Sequence, residues 1–371
     1  MPEIDIAALS RTVLWAAFGL AVVFGAIAQR THFCTMGAVS DIMTMGDWSR
    51  MRMWVTAIGV AMIGFNSMVA LGWIDAADTV YAGPRFIWLS AIVGGAMFGF
   101  GMVLASGCGS KTLVRIGGGN LKSLVVFVVL GIAAFATLRG LTAVLRVGTV
   151  DKVAIEFASG QDLPSLVAAA TGAAKSMLAA AIGIGLGGLL LVWSLARPQG
   201  RSADNLLGGL GIGGVVATLW WVSGRLGHVA EDPNTLQEAF VATNSQRMES
   251  LTFVAPIAYT IDWLIFFSDK SKVLTIAIVT TVGVVVGSAL YALASRNFRW
   301  EGFRDAKDTA DHLIGATLMG VGGVTAMGCT IGQGLSGLST LSLTSFVAMA
   351  AILAGAVAAL KLQFWRIERS A

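Results

Sequence analysis

The chain has 371 residues, of which 56% are hydrophobic and only 12% charged, with a mean hydropathy of +0.78. Soluble domains of this size carry about 25% charged residues, so half that share leaves too little polar surface to cover a water-soluble globule. The net charge of +4 is spread over single basic residues between apolar blocks, which argues against nucleic-acid binding and for an all-α polytopic membrane protein.

In chain order, Met1 to Ser10 is acidic and lacks a basic n-region, so no cleaved signal peptide is expected. Apolar blocks near the ~20 residues needed to cross the hydrocarbon core follow at 12–29, 53–73, 86–106, 121–139, 175–196, 204–223, 273–294, 312–328 and 341–363, giving nine predicted spans. Two further stretches, 31–47 and 251–268, are moderately apolar but carry Asp41 or Asp262 and are short or broken by Gly37 or Pro256. They read as re-entrant segments, because non-helical backbone at membrane depth survives only buried in protein or lining a cavity. Between the spans, 140–175 is a long connection and Gly224–Ser250 a polar segment with a helix start at Asp232-Pro233. His228 in that segment reads as a solvated or packing residue, and Trp220–Trp221 as an interfacial anchor.

With the N-terminus outside, fifteen of the 25 Lys and Arg fall in cytoplasmic loops and ten outside, while Glu3, Asp5, Asp75, Asp78, Glu231, Asp232 and Glu238 lie outside. This bias predicts an outside N-terminus and a cytoplasmic C-terminus. The string GFGMVLASGCG (Gly99–Gly109) overlays GVGGVTAMGCT (Gly320–Thr330) with five identities, including Gly107/Gly328 and Cys108/Cys329, and the same offset puts Asp41 on Asp262. Two related halves of opposite orientation are a signature of many transporter folds. The expected organisation is one membrane transport domain over 1–371, with approximate inverted repeats at 12–139 and 204–363 and a linker region at 140–203.

The three cysteines, Cys34, Cys108 and Cys329, form no CxxC and no zinc-type spacing with His32, His228 and His312. Neither a disulfide framework nor a structural metal site is indicated, and no cofactor is implied. Each cysteine falls where a helix is expected to break, and half-helix N-termini there would present N–H groups to an anion. Gly107 and Gly328 are expected to permit the tight turn and close backbone approach beside Cys108 and Cys329. The alternative for each thiol is packing as a small hydrophobe. A large, weakly hydrated sulfur suits a neutral thiol, a weak donor that adds no buried fixed charge.

Lys111 and Arg115 follow Cys108 in GCGSKTLVRIGGGN and either guide an anion or serve only the positive-inside rule. The GSKT string is no Walker A motif, since Ser110 separates Gly109 from Lys111 and no strand precedes it. Asp41 and Asp262 are open to a proton or coupling-ion role, but capping a half-helix or pairing with a nearby Arg is the favoured reading. An enzyme using these cysteines covalently would need an activating base or a paired thiol, and the isolated cysteines and scarce histidines argue against it.

The strings FCTMGA with Cys34, GCGSKTLVRIGGGN with Cys108, MGCTIGQGLSG with Cys329 and FVAPIAYTIDW (Phe253–Trp263) resemble the YeeE/YedE family, in the expected order and over nearly the whole chain. The resemblance implies a nine-span inner-membrane protein with inverted halves, transporting thiosulfate past functional cysteines that correspond to Cys34, Cys108 and Cys329. It also implies a small TusA-like sulfurtransferase as partner. Other members are linked to selenium metabolism or to different sulfur compounds, which leaves those substrates open.

Overall fold

The computed structural model describes residues 5–232 and 236–370, so Pro233 of the expected Asp232-Pro233 helix start lies outside the described residues. On either side of it the chain forms a short antiparallel pair, His228–Val229 with Ala239–Phe240. A second short pair joins Arg85–Phe86 to Ile155–Glu156, and the rest of the fold is mainly helical. In order, the helices are α1 (Ile6–Thr31), α2 (Thr35–Met45), α3 (Ser49–Ala70), α4 (Trp88–Leu104), α5 (Gly109–Gly117), α6 (Leu121–Arg139), α7 (Leu141–Gly148), α8 (Leu163–Thr171), α9 (Lys175–Leu178), α10 (Gly185–Leu195), α11 (Ala203–Trp221), α12 (Ala255–Ile265), α13 (Ile276–Ala294), α14 (Ala306–Thr325) and α15 (Leu343–Ser370). π-helical turns at Ala179–Ile184, Val222–Leu226 and Gly332–Gly337 extend or join them.

Among the described residues, eight helices are long and apolar enough to cross a membrane. The ninth expected span is α14. It has 20 residues and packs on α4 and α6, but Lys307, Asp308 and Asp311 in its first two turns keep its composition below that of a lipid-facing span. The protein is thus a multi-pass helical membrane protein, with large apolar side chains such as Trp15, Leu189, Val192 and Leu264 on its outer surface. The two segments expected to be re-entrant form α2 and α12, each of 11 residues and too short to span.

The loops grouped together by their basic residues gather at one end of the bundle. There Arg30 pairs with Asp204 at 3.5 Å, Lys122 with Asp308 at 2.9 Å, and the Asn205 amide donates to the Ser49 carbonyl at 3.1 Å. At the opposite end Lys175 pairs with Asp75 at 2.9 Å, Met248 N–H donates to the Asp78 carbonyl, and the Ser342 hydroxyl donates to the Tyr81 carbonyl at 2.7 Å. We call these the Arg50 end and the Arg247 end after an arginine at each.

The elements recur in the same order. A short helix (α2 or α12), a long helix (α3 or α13), a helix ending in a break (α4 or α14), a short segment after the cysteine, and a long helix (α6 or α15) follow one another twice at nearly constant offset. Their contacts exchange partner for partner: α1 packs on α13 and α11 on α3, α4 on α15 and α14 on α6, with α4 against α14 between them. Small residues allow this closeness. A Cβ on Gly101 would lie 2.6 Å from the Gly315 carbonyl, and one on Gly315 would lie 2.6 Å from the Gly101 carbonyl. In lipid, such close packing takes over the role that hydrophobic burial plays in water.

One expectation is corrected here. Trp220 is not an interfacial anchor: it is fully buried, packs edge-on to Phe65 and Tyr81, and donates its indole N–H to the Ser339 hydroxyl at 3.0 Å. Trp221 alone of the pair faces outward. Adjacent helical residues point about 100° apart, so the two could not both lie on the lipid face.

Candidate functional site at three helix breaks

Cys34, Cys108 and Cys329 are free and buried, and each precedes a short helical segment. Cys34 is the N-cap of α2 in extended backbone (φ −162°, ψ 121°), and its Sγ accepts the Gly37 N–H at 3.4 Å. Cys329 Sγ likewise accepts the Gly332 N–H at 3.4 Å, three residues on. A sulfur cap of this kind is weak, but it holds the thiol at the first turn and leaves the S–H to donate elsewhere. Cys108 is the N-cap of α5 and lies 3.2 Å from the Ser110 hydroxyl.

The breaks in α4 and α14 are built by the same hydrogen bonds. Ser106 N–H donates to the Val103 carbonyl and Gly107 N–H to the Met102 carbonyl; Met327 N–H donates to Val324 and Gly328 N–H to Gly323. The residues in the left-handed region are Ser106 (φ 58°) and Met327 (φ 57°), not the glycines. This corrects the expectation that Gly107 and Gly328 supply the turn. Their requirement is steric: a Cβ on Gly107 would meet Lys111 Cγ at 3.0 Å, and one on Gly328 would meet Gln333 Cγ at 3.1 Å and Gln333 N at 3.2 Å.

The three thiols are brought together. Cys108 lies within electrostatic reach of both Cys34 and Cys329, so it is the middle member of a series. On the Arg50 side of that series, Lys111 lies within electrostatic reach of Cys34, Cys108, Arg115 and Arg50. Among the described residues Lys111 and Arg115 carry no ion pair with a carboxylate, while Arg50 Nε pairs with Asp41 at 3.2 Å. The Arg50 guanidinium sits over Gly37, where a Cβ would lie 2.5 Å from its Nη1. Asp41 therefore holds a cation above the first turn of α2, and Asp262 of α12 is paired with Lys272 at 2.5 Å. Both carboxylates are thus paired, Asp41 with an arginine as expected and Asp262 with a lysine instead.

On the Arg247 side, a cavity of about 230 Å³ reaches Gly328 and is lined by Tyr81, Thr252, Glu249, Arg146 and Met327, among others. It adjoins a wider opening of about 600 Å³ lined by Arg85, Arg146 and Arg247, with Val80, Arg146, Ser245 and Met327 common to both. The floor is close-set: a Cβ on Gly332 would lie 2.5 Å from Thr252 Oγ1 and 3.2 Å from the Tyr81 hydroxyl. Burial pushes the Tyr81 phenol well above its ordinary range, which keeps it a neutral donor. Sequence reading missed Tyr81, Thr252 and the outer arginines, because they come from segments far apart in the chain.

Basic side chains line both ends of the arrangement, although at the Arg247 end Arg146 is paired with Asp151 at 2.6 Å. A family described as sulphur transport matches residues 30–358 of the chain. The chain belongs to the sulphur transport family. Similar over nearly its full length are thiosulfate transporter TsuA of Escherichia coli K12, 25% identical over 354 residues covering 94% of both chains, and thiosulfate transporter TsuA of Spirochaeta thermophila, 25% identical over 363 residues covering 91% of this chain and 94% of that one. Probable transporter YedE of Escherichia coli K12 is 30% identical over 110 residues, 29% of this chain and 25% of that protein. Family membership makes this protein a membrane transporter of a sulfur compound and not an enzyme.

Proposed function

We propose that the protein imports thiosulfate across the inner membrane, along a path that runs from the Arg247 end past Cys329, Cys108 and Cys34 to the Arg50 end. The observation that carries this reading is the series of three buried free thiols with Cys108 in reach of the other two. Arg85 and Arg247 would gather the anion at one mouth, and Lys111 and Arg115 would draw it out at the other. Between them, a fixed positive charge would hold the ion too firmly for release, whereas weak donors replace part of its hydration and let it pass. The terminal sulfur of thiosulfate is the weakly hydrated end that a thiol can meet. The partner-for-partner contacts of the two sets of helices support an inverted repeat, with α4 and α14 broken near the midplane from opposite sides. A TusA-like sulfurtransferase would take the sulfur over at the Arg50 end, which this reading places in the cytoplasm.

Uptake of labelled thiosulfate into liposomes holding the purified protein tests this, with sulfate and selenite as competitors. Wild type should accumulate thiosulfate, and Cys34→Ser, Cys108→Ser and Cys329→Ser should each slow it at matched protein level. A serine hydroxyl is the better donor to oxygen, so poor rescue by serine would be specific to sulfur. Wild-type uptake by the triple serine variant would make the cysteines packing residues, and uptake of selenite in place of thiosulfate would replace the substrate.

A further inference from the structure

Six buried side-chain polar atoms have no hydrogen-bond partner among the described residues. Two of them are the hydroxyls of Thr35 and Thr330, which directly follow Cys34 and Cys329. Their side chains are inaccessible to solvent, at 1% and 0% exposure. Other buried threonines of the protein return their hydroxyls to a helical carbonyl, as Thr56 does to Arg52, Thr112 to Cys108, Thr260 to Pro256 and Thr325 to Val321. Thr35 opens α2 and Thr330 precedes the Gly332–Gly337 turn, so neither has a preceding helical turn of its own segment to bond to. A buried hydroxyl left without a partner is destabilising, and native structures keep few of them. The third cysteine also has a hydroxyl beside it, that of Ser110 at 3.2 Å from Cys108 Sγ.

We propose that Thr35 and Thr330 are substrate-binding residues whose hydroxyls donate to the oxygens of the transported anion while the neighbouring thiols meet its sulfur. Each step of the path would then present a soft donor and a hard donor together, at Cys34 with Thr35, Cys108 with Ser110, and Cys329 with Thr330. Such pairs fit an anion with a sulfur at one end and oxygens at the other. This inference rests on the transport reading above and adds to it the group that reads the oxygen end. No bond is made or broken, and the hydroxyls remain neutral throughout.

The test replaces Thr35 and Thr330 with valine, which keeps the branched shape and removes the hydroxyl, and with serine, which keeps the hydroxyl. If these hydroxyls serve the anion, the Thr→Val proteins should melt no lower than wild type, because an unpaired polar group has been removed. Thiosulfate uptake into liposomes should nonetheless fall about five- to tenfold for each variant, with the serine variants close to wild type. The preference for thiosulfate over sulfate should be retained, since both anions present oxygens.

Wild-type uptake by both valine variants would overturn the proposal and leave the transport reading standing. A lowered melting midpoint in the valine variants would also overturn it, since it would mean that the hydroxyls have partners within the protein. So would a collapse of the preference over sulfate, which would place the hydroxyls at the sulfur end. If wild type itself takes up no thiosulfate, the transport reading falls, and the hydroxyls are judged by melting with added thiosulfate. A ligand-induced rise in wild type that is lost in the double valine variant supports them, and no difference between the two refutes them.

Discussion

Alanine at Gly107 and at Gly328 should have different consequences, although the two glycines occupy the same place in two similar breaks. At Gly328 the new Cβ would lie 3.1 Å from Gln333 Cγ and 3.2 Å from the Gln333 backbone nitrogen, inside the ordinary contact range. Gln333 cannot yield cheaply, because its amide donates to the Ala326 carbonyl at 2.5 Å and its carbonyl accepts from the Ser345 hydroxyl at 2.6 Å. Overpacking of this kind costs about 1–3 kcal/mol, and weakening two buried hydrogen bonds adds about 1 kcal/mol each, so these terms cost Gly328→Ala about 3–5 kcal/mol. At Gly107 the neighbours are Lys111 Cγ at 3.0 Å, which a change of rotamer can move, and Lys111 Cβ at 3.1 Å, which needs only a small shift of a side chain that makes, among the described residues, no hydrogen bond of the kind that holds Gln333. Neither glycine has a positive φ, so alanine adds no backbone strain, and it restricts the unfolded chain by about 0.4–1 kcal/mol in favour of folding. Gly107→Ala should therefore melt near wild type, yet slow uptake by displacing Lys111 from Cys108. Melting in detergent followed by tryptophan fluorescence, beside uptake in liposomes, reads both quantities. Equal destabilisation by the two substitutions, or a larger one at Gly107, would refute the assignment of the constraint to Gln333 and Lys111.

Burial pushes the Glu249 carboxyl above its usual range, an effect partly offset by donors from Ser245 and Asn244, and this group lines the cavity that leads to Gly328. Its charge thus develops only above the ordinary carboxylate pH, so anion uptake should fall as pH on that side rises through its titration, and Glu249→Gln should flatten that part of the profile. Asp41→Asn and Asp262→Asn break the pairs with Arg50 and Lys272, and each should lower stability by about 1 kcal/mol or less, the modest size set by the partial exposure of the cations. Neither substitution should alter the pH dependence of uptake measured in liposomes; a changed profile would give the carboxylate a proton-handling role in place of a structural one.

Hydropathy was enough to find the eight helices long and apolar enough to cross, because a lipid-crossing helix must be apolar along its whole length, whereas the ninth expected span, α14, opens on Lys307, Asp308 and Asp311. The charges of Asp41 and Asp262, with Gly37 and Pro256, likewise marked α2 and α12 as segments that do not cross. The cysteines and the glycines beside them stood out as residue types at one offset, and the family strings surround them. Tertiary structure alone decided what depends on distant neighbours. It placed the left-handed turn on Ser106 and Met327, residues with no intrinsic preference for it, because the hydrogen bonds that end α4 and α14 require that turn there. It buried Trp220 against Phe65 and Tyr81, and it set Tyr81 and Thr252 over Gly332 from two separate loops. It also left the hydroxyls of Thr35 and Thr330 unpaired, a property of everything around a side chain and of nothing in its own identity.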